Sequence, residues 1–434
     1  MEYFSRNLMG ELKKWIDRKE IYAIKGPRQS GKTTLLKMLR EWLITKQNIK
    51  PENIIFLTFE DRDILEKFSF DAQEFVRTSI GDRKNERFYF LIDEFQYLKD
   101  GGQKLKLLYD TFENIKFIIT GSSSLELTGK TGKFLVGRVF SFYLYQLSFG
   151  EIMRIKSPQL NNVYQERTNC IKDFIFKGRE FSIPQKDIFG KDFEKAFEEY
   201  ATWGGYPEVV KTRDEETKRI ILKNIYDTYI TRDIVELLKI TDFSKLRNLL
   251  LLLAGRIGNL VNYNDLTLNT HTYFKEVKRY LSILEETFII EMVKPFFSNE
   301  TTELRKNPKV YFIDSGFRNY LLHNFNDLAI RQDKGAIVEN SVFSQLKIMQ
   351  KDNYQIRYWR TLNKAEVDFI LKENEVLVPV EVKYSEMKML QITRGFRNFL
   401  STYKPKRALI LTKNFWGSLK VDETTIKFIP VWYL

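Results

Sequence analysis

At 434 residues the chain is too long for one ordinary domain of roughly 100–200 residues, and 43% hydrophobic with 29% charged residues is a globular composition rather than a disordered one. The single cysteine, Cys170, excludes an internal disulfide, and with only His271 and His323 in the chain the usual Cys/His zinc site cannot be assembled. Lys and Arg number 70 against 57 Asp and Glu, a net charge of +13, which predicts polyanionic partners, nucleic acid and DNA above all; genome composition or growth at high temperature produces the same bias.

The start, MEYFSRNLMGELKKW, lacks a hydrophobic leader segment. No apolar stretch approaches the ~18 residues of a membrane span; the richest, 249–254, is flanked by Arg247 and Arg256. A cytoplasmic protein with no membrane partner is expected. Residues 1–150 alternate short apolar runs (YAIKG, NIIFLTF, FYFLID, KFIIT, RVFSFYLY) with helical patterns such as KTTLLKMLREWL. Nearly continuous hydrophobic strands between helices predict a parallel sheet covered on both faces, the core of an α/β P-loop fold. Over 151–240 the strand pattern stops. The turn Gly204-Gly205-Tyr206-Pro207 leads into LKNIYDTYITRDIVELL, which predicts a helical lid and connector. Residues 241–325 read helix, turn, helix, then the strands FIIEMVKPFF and KVYFID, the order of a winged helix-turn-helix. Residues 330–434 return to mixed α/β, with helices in IVENSVFSQLKIM and ITRGFRNFLSTY and strands in YQIRYW, EVDFIL, VLVPVEVKY, RALILT and KFIPVW.

The run YAIK enters Gly26-Pro27-Arg28-Gln29-Ser30-Gly31-Lys32-Thr33-Thr34 and then a helix, the Walker A pattern in its strand-loop-helix setting. Glycines let successive backbone N–H groups turn toward phosphate, and the helix N-terminus adds its partial positive charge. Lys32 is expected on the β- and γ-phosphates and Thr33 on Mg²⁺, so ATP and Mg²⁺ are the predicted cofactors. A buried strand ending in Asp93-Glu94, 61 residues after Lys32, matches Walker B: Asp93 is expected to hold Mg²⁺ and Glu94 to orient the attacking water. KFIIT ends at Thr120, and Ser122 or Ser123 beyond it is the expected γ-phosphate sensor. A Ser-rich turn after a strand also arises for local reasons. Arg138, after Gly137, offers a cation for the transition state, from the same subunit or into a neighbour; a homo-oligomer therefore stands among the expected partners.

These elements, with QLSFGEI, YATWGGYPEVV, YITRDI and KVYFIDSG, resemble the AAA-superfamily ATPases of archaea and bacteria that carry a domain of unknown function 4143. The resemblance spans nearly the whole chain and implies an ATPase fold and activity, but no substrate.

In the last hundred residues Glu339 on a helix, Asp368 in EVDFIL and Glu381-x-Lys383 in VPVEVKY have a spacing that resembles the PD-(D/E)xK nuclease superfamily. Residues two apart on a strand share a face, so Glu381 and Lys383 project together. Asp368 and Glu381 are expected to bind Mg²⁺, with Glu339 completing the carboxylate set and Lys383 helping to generate the nucleophile. A solvated edge strand produces the same alternation. Residues 335–434 hold 16 Lys and Arg against 10 Asp and Glu, and Lys388, Arg394, Arg397, Lys404, Lys406 and Arg407 are candidates for a phosphate track. In THTYFKEVKRYLSILEE, the expected recognition helix, Lys275, Lys278 and Arg279 are candidates for phosphate contact. Two functions follow: an ATP-driven, DNA-interacting enzyme coupled to a Mg²⁺-dependent nuclease-like domain, or a nucleotide switch whose C-terminal domain only binds a partner.

Overall fold

The computed structural model describes residues 3–83, 85–122, 135–184, 186–234, 242–296, 307–350 and 354–434, with the side chains of 231–234 not included. The chain divides into two compact units, residues 1–146 with 286–288, and 147–285 with 289–434.

In the first unit five parallel strands lie in the order β2-β3-β4-β1-β5: β1 is Ile21–Lys25, β2 Ile54–Thr58, β3 Phe88–Asp93, β4 Ile115–Gly121 and β5 Val139–Tyr143. The near-continuous hydrophobicity of these strands follows from burial on both faces. Ile21, Ala23, Phe88, Phe90, Ile92, Phe117 and Ile119 pack into one core. The intervening Tyr22, Ile24, Tyr89, Leu91 and Ile118 pack into another, with Leu35, Leu36, Leu39 and Leu43 of the Lys32–Lys46 helix. Only β5, at the sheet edge, alternates with solvent. Two short helices follow β2, Arg62–Phe70 and Ala72–Ile80. Asp61 caps the first and Asp71 the second, their side chains accepting N–H groups of the opening turns, which satisfies donors a helix start leaves unpaired.

The second unit opens on helices. Ser148 and Glu151 form a reciprocal capping box for Phe149–Lys156; Pro158–Lys177, Gly190–Trp203, Pro207–Lys211 and Glu215–Tyr226 follow, and then a π-helical stretch, Asp227–Ile234. The expected single helix LKNIYDTYITRDIVELL therefore changes winding at Asp227, and its last residues lie outside the described ones. Next come the helices Phe243–Ala254, Tyr263–Thr270 and Phe274–Glu286, and an antiparallel pair, β6 (Ile290–Val293) and β7 (Lys309–Phe312). The third helix starts later than its sequence suggests: His271 takes a left-handed φ of 49°, ending the second helix, and the chain turns before Phe274.

After Ser315–Leu321 and Lys334–Met349, six strands form a mixed sheet in the order β12-β13-β11-β10-β9-β8. β8 (Gln355–Arg360), β9 (Glu366–Glu373) and β10 (Val376–Lys383) run antiparallel; the Arg394–Tyr403 helix crosses to β11 (Arg407–Thr412), parallel to β10. β13 (Thr424–Pro430) pairs parallel with β11, and β12 (Gly417–Val421) closes the edge. β12 was not expected, because GSLKV is short and half solvated. Among the described residues no helix is long and apolar enough to cross a membrane.

Candidate functional site

The phosphate loop leaves β1 at Lys25 and enters the helix at Lys32. Its glycines are required sterically: a Cβ on Gly26 would lie 2.0 Å from the Leu144 carbonyl oxygen, and Gly31 has φ 93°, a conformation that side chains resist. Gln29 also takes a positive φ, 56°. The Lys32 ammonium is buried and donates to the carbonyls of Gly26 at 3.0 Å and Pro27 at 2.9 Å, so the loop itself sets its position. Arg28 donates to the Tyr97 hydroxyl at 2.9 Å. Ser30 is fully buried and Thr34 lies on the first turn of the helix.

Thr33 Oγ1 donates to Asp93 Oδ2 at 2.6 Å, which brings the Walker A hydroxyl and the Walker B carboxylate together across two elements. Hard oxygen donors so placed suit Mg²⁺. Glu94 follows in a left-handed conformation, φ 53°, uncommon for a non-glycine residue and frequent at functional sites. The Ser122 hydroxyl accepts from Gln96 Nε2 at 3.1 Å, and the same amide donates to Glu94. Ser122 is thus one side chain away from Glu94. Ser123 lies outside the described residues.

Arg138 sits elsewhere in this unit. Its carbonyl accepts from Ile21 N at the start of β1, and its guanidinium pairs with Asp110 at 3.0 Å over the Tyr109 ring. The loop leaves the opposite end of that strand, so of the two roles open for Arg138, within its own subunit or into a neighbour, the geometry of this unit does not support the first.

Three residues at this site escaped sequence reading. Thr120 Oγ1 donates to Asp93 Oδ1 and accepts from Glu94 N at 3.2 Å, holding both acids from the neighbouring strand. Gln96 bridges Glu94 and Ser122. Arg6 donates to the carbonyls of Ser30 at 2.7 Å and of Tyr145, bracing the loop from behind. Thr120 was visible as the hydroxyl residue ending KFIIT; Arg6, 24 residues before Ser30, gave no local signal.

In the second unit Phe369 pairs with Val380, so Asp368 and Glu381 occupy the next antiparallel step. Val382 N donates to Asp368 Oδ2 at 2.8 Å. Glu381 is buried, accepts from Thr393 Oγ1 at 3.1 Å and pairs with Lys383 at 2.7 Å. Glu339 lies close enough for its charge to act on Asp368 and Lys383, so the four expected residues do come together. Burial raises the carboxyls of Glu339, Asp368 and Glu381 above the ordinary range, against the pull of nearby ammonium groups. A further cation lies among them. Lys309, on β7, sits 2.5 Å from Glu366 and 3.4 Å from Glu339. Burial would lower its ammonium, but Glu339, Asp368 and Glu366 together hold it above its usual value. Among the described residues no group of three His, Cys, Asp or Glu side chains is arranged to hold a metal ion.

The Arg394–Tyr403 helix turns Arg394 and Arg397 to solvent and buries Phe396 and Phe399; Lys388, Lys404 and Lys406 are exposed, and Arg407 is half-buried. On Phe274–Glu286, Lys275, Lys278 and Arg279 are exposed while Val277 and Tyr280 are buried.

Residues 194–328 match the domain of unknown function DUF8612, and 334–434 the domain of unknown function DUF4143. An uncharacterized protein of Haemophilus influenzae is 27% identical, the match covering 99% of this chain and 98% of that one. Another, of Methanocaldococcus jannaschii, is 26% identical over 95% of this chain and 87% of its own length. Among solved structures, the ORC2 protein of Aeropyrum pernix in its ADP form has a TM-score of 0.34 at 12% identity, covering 74% of this chain and 93% of that one. Residues 18–153, which hold the phosphate loop, Asp93, Glu94, Thr120 and Ser122, match the AAA domain, and this match supports a P-loop ATPase.

Proposed function

We propose that the chain hydrolyses ATP at the phosphate loop and couples hydrolysis to DNA bound by a winged helix-turn-helix and a nuclease-like C-terminal domain. The observation that carries the ATPase reading is the convergence of Thr33 on Asp93 at 2.6 Å, with Glu94 next in the chain. Thr33 and Asp93 would hold Mg²⁺, which when bound neutralises charge on the β- and γ-phosphate oxygens. Lys32 and the loop N–H groups bind the phosphates. Glu94, steadied by Gln96, orients and polarises the attacking water, and Ser122 reports the γ-phosphate to Glu94 through the same amide. A homo-oligomer enters through Arg138, which at the far end of β1 serves a phosphate only in a neighbouring copy.

DNA is favoured by two exposed basic faces. On the Phe274–Glu286 helix the Lys278 ammonium lies 4.6 Å from the centre of the Phe274 ring, which holds its charge at the start of the proposed recognition helix. Arg394 and Arg397 supply the second face. A specific observation favours the other reading, a nucleotide switch with a binding module that does not cut: Lys309 pairs with Glu339, one of the carboxylates that a nuclease would offer to metal, and its charge acts on a second, Asp368.

ATP hydrolysis by the purified chain, measured with and without single- and double-stranded DNA, separates the two. The proposal expects stimulation by DNA; an unchanged rate removes the coupling and leaves the switch.

A further inference from the structure

Outside the nucleotide site, four carboxylates gather in one cluster: Glu339, Glu366 and Asp368, partly buried, and Glu381, buried. Its four carboxylates come from the Lys334–Met349 helix and strands β9 and β10. Arg360 pairs with Glu366 at 2.9 Å and Lys383 with Glu381 at 2.7 Å. Among the described residues neither Glu339 nor Asp368 is paired with an arginine or lysine of the Lys334–Met349 helix or of this sheet, although the charge of Lys383 acts on Asp368. The cation beside Glu339 is Lys309, the first residue of β7, whose side chain is 1% exposed and whose charge also acts on Asp368. The Tyr311 hydroxyl, two residues along the same strand, donates to Glu339 Oε1 at 2.6 Å. Gly258, at φ 72°, leaves room for that carboxylate; a Cβ there would lie 3.1 Å from Glu339 Oε1.

An ion taken out of water costs several kcal/mol unless its partners restore what hydration gave. Lys309 is therefore held where it is by the carboxylates, and they by Lys309. A divalent cation entering the same cluster would meet an ammonium group that cannot be a ligand and that repels it at short range.

We infer that Lys309 is the resident cation of this cluster, and that its ammonium and a divalent metal ion exclude one another there, so that β7 carries a built-in stop against metal loading of the C-terminal domain. This concerns occupancy of the cluster alone and holds whether or not the chain acts on DNA. Its consequence is specific: removing the Lys309 charge creates a divalent-cation site that depends on Asp368.

The test is Mn²⁺ binding to the full chain without nucleotide, read from the electron paramagnetic resonance of free Mn²⁺. Lys309→Met is expected to gain one bound Mn²⁺, on the order of a hundredfold tighter than any Asp368-dependent binding by wild type, from the loss of one nearby like charge. The gain should vanish in Lys309→Met/Asp368→Asn and be absent from Lys309→Arg. Lys309→Met/Glu366→Gln removes one charge of each sign and should fold and gain the ion if the single variant does not fold. A folded variant of either kind that binds no additional Mn²⁺ overturns the inference. So does wild-type protein that binds Mn²⁺ in the absence of nucleotide and loses that binding with Asp368→Asn, a result that needs no Lys309 variant.

Discussion

The Asp314 carboxylate accepts the backbone N–H of Gly205 at 2.8 Å across 109 residues of sequence. Its other oxygen accepts from Phe317 N at 2.9 Å. Gly204 and Gly316 make this closeness possible: a Cβ on Gly204, at φ 75°, would lie 2.2 Å from Asp314 Oδ1, and one on Gly316 would lie 2.0 Å from the Trp203 carbonyl oxygen. Asn319 adds hydrogen bonds to the carbonyls of Ala201 and Thr202. YATWGGYPEVV and KVYFIDSG, both singled out in the sequence, are thus two halves of one packed joint.

The joint predicts both a steric and a pH effect. Gly204→Ala forces a left-handed φ and a clash, and should lower the stability of this unit by about 3 kcal/mol in urea unfolding. Burial pushes the Asp314 carboxyl up from 3.8 to about 6, against the pull of the Gly205, Phe317 and Gly316 N–H groups. Its proton is therefore held more tightly in the folded state, so the contribution to stability is full below 3.8 and lost as pH rises through about 6. Compared with Asp314→Asn, wild type should lose stability across that window. Parallel curves for the two proteins would show that Asp314 does not titrate there.

At the nucleotide site, separate roles predict separate kinetic signatures. Lys32→Ala should weaken ATP binding, whereas Glu94→Gln should bind ATP and lower turnover by about two to four orders of magnitude. Thr120→Val removes the side chain that holds Asp93 and Glu94 N but touches no phosphate, so it should reduce kcat with little change in nucleotide affinity. Wild-type turnover by Glu94→Gln would show that another residue positions the water.

DNA affinity should fall steeply as salt rises, because phosphate contacts release counterions. Lys275→Ala, Lys278→Ala and Arg279→Ala should each reduce the log–log salt slope by about 1 if the residue meets a phosphate. Fluorescence anisotropy across a salt series measures this, and slopes unchanged in all three variants would remove the Phe274–Glu286 helix from the DNA surface.

What could be read from sequence was what repeats locally. The phosphate loop, Asp93 and Glu94 were legible because the backbone geometry they need imposes glycines and a buried strand at fixed positions. The strands of the two larger sheets, β12 apart, were legible from their hydrophobic runs. The roles of Arg6, Thr120 and Lys309 were not, because each acts across elements: Arg6 reaches Ser30 and Tyr145, Thr120, though visible at the end of KFIIT, reaches the neighbouring strand, and Lys309 opens KVYFID as an ordinary strand lysine. Its meaning depends on which carboxylates the fold brings to it. The place of Arg138 at the far end of β1 depended likewise on strand pairing, which the Gly137-Arg138 pattern does not carry.

Asp368, Glu381 and Lys383 are proposed as a metal-dependent phosphodiesterase site, a reading supported by their position on adjacent strands and by the short Lys383–Glu381 pair of 2.7 Å. If this reading is right, Asp368→Asn and Glu381→Gln should each abolish whatever DNA cleavage wild type or Lys309→Met shows, while leaving ATP hydrolysis within about twofold, since the two sites share no partner residue and such sites usually act independently. Lys383→Ala should impair turnover more than metal affinity, because an ammonium group serves the nucleophile rather than the ion. Cleavage of labelled single- and double-stranded substrates with Mg²⁺ or Mn²⁺, with and without ATP, provides the measurement. Lys309→Met belongs in the same assay, since the ammonium it removes sits among the carboxylates that the metal would need. No cleavage by wild type or by Lys309→Met under any of these conditions sinks the nuclease reading. The carboxylates and their lysines would then be a buried ion-pair network that shapes a binding module.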